Sequence, residues 1–131
     1  MPQTRESIIS AAEKYIHQGL VAHKPDLVPF ADSVVRTELG MTTGEGAAQL
    51  RELLGGDAYD AVLGVQNLRW IVENDQAVVF YEQLISFLSE PLLVCTRFRV
   101  KEGLIEEIEI LLYAKDMTDA IARNVTELST D

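Results

Sequence analysis

From Val62 to Tyr113 the chain alternates apolar and polar residues four times over, with only a few residues between one run and the next. Val62–Val72, Ala77–Phe87, Leu92–Val100 and Leu104–Tyr113 therefore predict four consecutive strands joined by hairpins. Asn74-Asp75 suits a tight two-residue turn, because asparagine tolerates positive φ. Ser89-Glu90-Pro91 makes the middle turn, and Lys101-Glu102-Gly103 fits a three-residue loop with glycine in the left-handed position. A meander of this kind must bury one of its faces, so the remaining residues have to supply a covering layer.

The preceding residues supply it with a different period. From Thr4 to Ala22, Ile8, Ala12, Tyr15 and Gly19 form a helical stripe flanked by Ile9, Ile16 and Leu20, with His17 on the polar side. Thr4 can cap this helix and Lys24-Pro25 stops it. Asp26–Ala31 reads as a short helix or a turn, and Val34–Leu39 as a short strand. Gly40–Gly46 reads as a flexible loop at a pocket rim, since it lacks the lysine and spacing of a phosphate loop. Glu45–Leu54 predicts a helix that buries Ala47, Leu50, Leu53 and Leu54, ended by Gly55-Gly56-Asp57. After the meander, Met117, Ile121, Val125 and Leu128 form a stripe on a final helix, with Asp116 as its cap. The predicted architecture is α+β: a conical, curved antiparallel sheet with the N-terminal helices packed on its concave face. The final helix either closes the pocket or lies over the other face.

Pairing tests this reading. A three-residue loop after Val100 sets Val94 opposite Ile110, Thr96 opposite Ile108 and Arg97 opposite Glu107. Apolar pairs then share one face and a charge pair the other, as cross-strand packing requires. In the first hairpin, Trp70 faces Val79, Leu68 faces Tyr81 and Gln66 faces Gln83. Arg97 and Arg99 with Glu106, Glu107 and Glu109 make a salt-bridge ladder on the convex side. Phe80, Leu84, Ile71, Val78, Leu93 and Leu111 share that side, an apolar surface that implies a homodimer through the convex face.

The 131 residues make one domain, and 47% apolar against 24% charged residues is a globular balance. With 21 acidic and 11 basic residues, a formal charge of −10 argues against nucleic acid and anionic lipid as partners. One cysteine, Cys95, allows no internal disulfide, and neither His17 nor His23 has a ligand set at metal spacing. No metal or cofactor is implied. The polar start shows no signal-like run and no stretch long enough for a membrane span, so the expected location is cytoplasmic.

The element order, with the Ala-Glu-Lys-Tyr-Ile opening helix and the Phe-Arg-Val-Lys-Glu-Gly-Leu-Ile-Glu-Glu-Ile closing hairpin, resembles the nuclear transport factor 2-like superfamily. That resemblance covers nearly the whole chain. It implies a cystatin-like cone around an apolar pocket, and many members are dimers. The superfamily includes ketosteroid isomerases, polyketide cyclases, scytalone dehydratase, limonene epoxide hydrolase and members without chemistry. In the ketosteroid isomerase pattern, Tyr15 in Ala12-Glu13-Lys14-Tyr15-Ile16 is similar to the oxyanion-binding tyrosine. Glu38, at its offset after Ala31-Asp32, is similar to the carboxylate base. Thr96 stands where those enzymes carry a protonated aspartic acid, a departure that leaves a weaker donor. The epoxide hydrolase pattern needs an Arg-x-Asp pair on the pocket face. Here the arginine pair is Arg97-Phe98-Arg99, on the outer face.

Glu38, Tyr15 and Thr96 are thus the candidate catalytic residues, with Glu38 as base and the other two steadying an oxyanion. Against this, Arg36 lies two residues before Glu38 and so on the same side of the strand. A neighbouring guanidinium favours an ion pair. Tyr81, Gln66, Gln83, Trp70, Phe98 and Ile108 are the candidate ligand-binding residues of the concave face. The expectation is a pocket for an apolar small molecule. It serves either a metal-free isomerase-, cyclase- or dehydratase-like reaction on a carbonyl compound, or binding without chemistry; the third alternative is a dimeric association module.

Overall fold

A computed structural model describes residues 3–114. Helix α1 runs over Arg5–Lys14 and starts where Thr4 turns extended, with φ −97° and ψ 162°. Thr4 Oγ1 accepts from the Ser7 amide at 3.1 Å, and Ser7 Oγ accepts from the Thr4 amide at 3.0 Å. This reciprocal box satisfies two amides that the first helical turn leaves free. The helix does not stop at Lys14. It widens into a π-helical stretch, Tyr15–Val21, in which the Ala22 amide donates back to the His17 carbonyl at 3.0 Å. The buried stripe continues through Tyr15, Ile16, Gly19 and Leu20. Gly19 permits close packing there: a Cβ at this position would stand 3.3 Å from Leu54 and from Val28.

A 3₁₀ turn at Pro25–Leu27 follows, the turn alternative of the reading for Asp26–Ala31 but shorter, since Phe30 and Ala31 already belong to a strand. Strands β1 (Phe30–Glu38) and β2 (Met41–Glu45) form a hairpin, so Gly40–Gly46 is largely strand rather than free loop. Leu39 and Gly40 make its two-residue turn at φ 50° and 83°. Helix α2, Ala47–Gly55, buries Ala47, Leu50 and Leu54 while Leu53 faces outward. The meander is β3 (Val62–Glu73), β4 (Gln76–Ile85), β5 (Leu92–Lys101) and β6 (Leu104–Tyr113).

The six strands form one curved sheet in the order β2-β1-β6-β5-β4-β3. It is mixed, because β1 lies parallel to β6 while every other neighbouring pair is antiparallel. Two registers also differ from expectation. Lys101 pairs with Leu104 around a two-residue turn, with Glu102 and Gly103 at φ 51° and 79°. Glu106 is then the extra residue of a bulge, which sets Thr96 opposite Ile110 and Arg97 opposite Glu109. In β3, Asn67 at φ 59° lies in a bulge that shifts Gln66 from Gln83 to Glu82.

The core lies between the concave face and α1 with its π extension. Tyr15, Ile16, Val34, Val79, Phe98, Val100 and Ile105 are inaccessible to solvent. No helix among the described residues is long and apolar enough to cross a membrane. The expected final helix, Met117 to Leu128, lies outside the described residues.

Candidate functional site

Strand alternation decides which residues of β1 face inward: Val34, Arg36 and Glu38 point to the helices, while Val35 is exposed. Burying Arg36 at 2% exposure strips water from a full charge, so its donors must be met by protein groups. They are. Arg36 Nε donates to Thr43 Oγ1 at 3.1 Å, Nη2 to the Thr43 carbonyl at 3.1 Å, and Nη1 to Tyr15 Oη at 3.2 Å. The guanidinium also lies 5.6 Å from the centre of the Tyr59 ring. Glu38 Oε1 is 3.8 Å from Arg36 Nε, an ion pair longer than a hydrogen bond.

In front of this cluster is a cavity of about 270 Å³. Glu38, Tyr15, Tyr59, Tyr81 and Gln83 supply its polar wall. Leu20, Ala58, Val94, Ile110 and Leu112 supply the apolar remainder. Burial raises the Tyr15 hydroxyl well above the ordinary phenol value, with Arg36 working in the opposite direction. Burial likewise pushes Tyr81 up to about 12, against its hydrogen bond with Thr96. Tyr59 is raised too, again chiefly by burial. All three phenols therefore stay neutral at physiological pH. Tyr15 Oη accepts from Arg36, which leaves its own proton available to a ligand.

The structure brings Glu38, Tyr15, Tyr81 and Gln83 to one cavity and disperses the other candidates. Thr96 is fully buried behind Tyr81, with its Oγ1 3.3 Å from Tyr81 Oη, so it reaches the cavity only through that tyrosine. Phe98 and Ile108 are core residues, and Phe98 packs edge-on against Tyr15 with ring centres 5.5 Å apart. Trp70 is half-buried against the core and does not line the cavity. Gln66 is an outright correction: the bulge at Asn67 turns it outward, where its Nε2 donates to Glu82 at 2.7 Å. Tyr59 and Thr43 enter the site without any signal in the sequence. Tyr59 arrives on a 3₁₀ turn, Asp57–Tyr59, that follows directly on α2 and sets its ring against Arg36 of β1.

The arginine pair of the closing hairpin stays outside. Arg97 binds Glu109 at 2.9 Å and Glu107 at 3.0 Å, and Arg99 binds Asp75 at 3.2 Å, all on the convex face. No cluster of three or more histidine, cysteine or acidic side chains suited to a metal occurs among the described residues.

Solved structures share this architecture. An LEH-like epoxide hydrolase of M. tuberculosis aligns with TM-score 0.68 at 20% identity, over 95% of this chain and 96% of its own. An NTF2-like protein of unknown function from Burkholderia xenovorans aligns with TM-score 0.67 at 17% identity, over 82% and 83%. A ketosteroid isomerase-like protein from Kribbella flavida gives TM-score 0.67 at 16% identity, over 83% and 79%. At such identities the likeness is one of fold, and the fold is nuclear transport factor 2-like. No curated protein matches the sequence. Residues 1–112 match the family described as Domain of unknown function (DUF8021), and the chain belongs to that family.

Proposed function

We propose that this protein binds a small, largely apolar molecule with one polar end, in the cavity bounded by Glu38, Tyr15, Tyr59 and Tyr81. The observation that carries this reading is the make-up of the cavity wall. Val94, Ile110 and Leu112 supply apolar surface, and Glu38, Gln83 and the three tyrosines supply a few polar groups, with Arg36 held behind Tyr15. Binding is favoured over general-base chemistry because Glu38 is paired with Arg36. That ion pair sets the carboxylate as an acceptor at the cavity wall. The reaction classes found on this fold, from isomerisation to dehydration, remain the alternative, since Glu38 does face the same cavity as the Tyr15 hydroxyl.

The test is proton exchange α to a carbonyl. A series of small cyclic ketones in D2O, followed by NMR with and without protein, is expected to bind without accelerated exchange. Acceleration that Glu38→Gln abolishes would establish the catalytic alternative instead. Ala58→Trp, which sets a bulky ring at the exposed edge of the cavity, should block binding in either case. The lone thiol, free among the described residues, suits a cytoplasmic setting. We further propose a homodimer through the convex face, supported by Ile71, Leu111 and Phe80, which are 60%, 50% and 41% exposed.

A further inference from the structure

We infer that the polar end of the ligand is a protonated amine, so that the cavity selects apolar ammonium compounds over alcohols and acids. The inference rests on the reading that this cavity binds a small molecule, and it adds the sign of the charge. Glu38 is the one charged side chain that lines the cavity among the described residues. Arg36 lies behind it: its side chain is 3% exposed against 31% for Glu38. Every Arg36 nitrogen is already committed, to Thr43 or to Tyr15. The ion pair therefore turns its negative end toward the ligand and its positive end into the protein.

The 3.8 Å separation leaves the Glu38 oxygens with lone pairs not taken up by Arg36. Gln83 offers a carbonyl oxygen elsewhere on the same wall, and the Tyr15, Tyr59 and Tyr81 rings add electron-rich surface without charge. An ammonium group placed there meets a carboxylate at short range in a partly buried site, where the attraction exceeds that in open water. A ligand carboxylate would meet Glu38 with no lining lysine, arginine or histidine among the described residues to offset it. The formal charge of −10 acts in the same sense at long range, drawing cations to the protein.

The experiment is calorimetric titration with 2-phenylethylamine, 2-phenylethanol and phenylacetate, which share a ring and differ at the terminal group. Wild-type protein is expected to bind the amine at least tenfold more tightly than the alcohol, with phenylacetate weakest. Glu38→Gln should lower the amine affinity about tenfold and leave the alcohol within twofold. Ala58→Trp should abolish both. The wild-type ranking needs no variant, so it stands even if Glu38→Gln folds poorly. Equal or tighter binding of the alcohol or the acid overturns the assignment of charge and leaves the cavity reading intact. Amine binding that survives Ala58→Trp also overturns it, placing the amine on the acidic surface. Absence of binding by all three at millimolar concentration overturns the cavity reading as well.

Discussion

Arg36 organises the site, and its surroundings explain why an arginine is tolerated where its strand neighbour Val34 is core. Three nitrogens donate to Thr43 and Tyr15, so little of the desolvation cost is left uncompensated. Arg36→Met keeps the volume but strands Glu38, the Tyr15 oxygen and Thr43. A loss of about 3 kcal/mol is expected in urea unfolding, the usual scale for removing one partner of a buried charged network. The buried phenols give a second prediction. Folded Tyr81 keeps its proton up to about 12, and Tyr15 is raised as well, against an ordinary value of 10.0. Above pH 10 the unfolded chain therefore binds fewer protons than the folded one, and stability falls as pH rises through that window. Urea midpoints measured from pH 9 to 12 should decline accordingly, with a shallower decline in Tyr81→Phe. Arg36 and Glu38 were legible as one-sided neighbours from their spacing alone. Tyr59 was not, because nothing local links a 3₁₀ turn to a strand it meets only in the folded chain.

At the level of elements, period-two patterning reports which face a residue occupies but not how many residues intervene across the ladder. The closing hairpin illustrates the limit. A three-residue loop and a two-residue turn with a bulge at Glu106 agree on the faces from Glu107 onward, but only the second buries Ile105 beside Val100 and leaves Leu104 exposed, and the two place Arg97 against different glutamates. Gln66 is a second case, where a bulge at Asn67 changes the face. The π-helical stretch was equally hidden, since an apolar stripe reads much the same through either winding. Gly44 was read as loop flexibility and is instead a packing requirement: a Cβ there runs into the Leu50 side chain of α2. Gly44→Ala should cost about 1–3 kcal/mol, read as a lowered midpoint in thermal unfolding.

For the whole molecule, the convex face is the unfinished surface. Phe80, Leu93, Leu111 and Tyr113 line an apolar groove of about 340 Å³ on it, beside the Arg97 and Arg99 ion pairs. If two copies meet there, sedimentation at micromolar concentration should give a dimer. Phe80→Glu should give a monomer that keeps the amine site, because Phe80 faces away from the cavity. A monomeric wild type would count against that interface.

The parallel pairing of β1 with β6 also bears on when the cavity comes into being. Glu38 lies opposite Ile110, about seventy residues later in the chain. The strands of the meander pair with their immediate successors, so they can zip up early. Seating β1 against β6 must wait until that long loop closes. During refolding the Trp70 signal, from within the meander, should therefore recover before ligand binding does. On the ribosome the order is stricter. Until Leu104–Tyr113 has been made, the nascent chain has neither the neighbour that seats Arg36 and Glu38 nor the Ile110 and Leu112 wall, and so has nothing with which to hold a ligand.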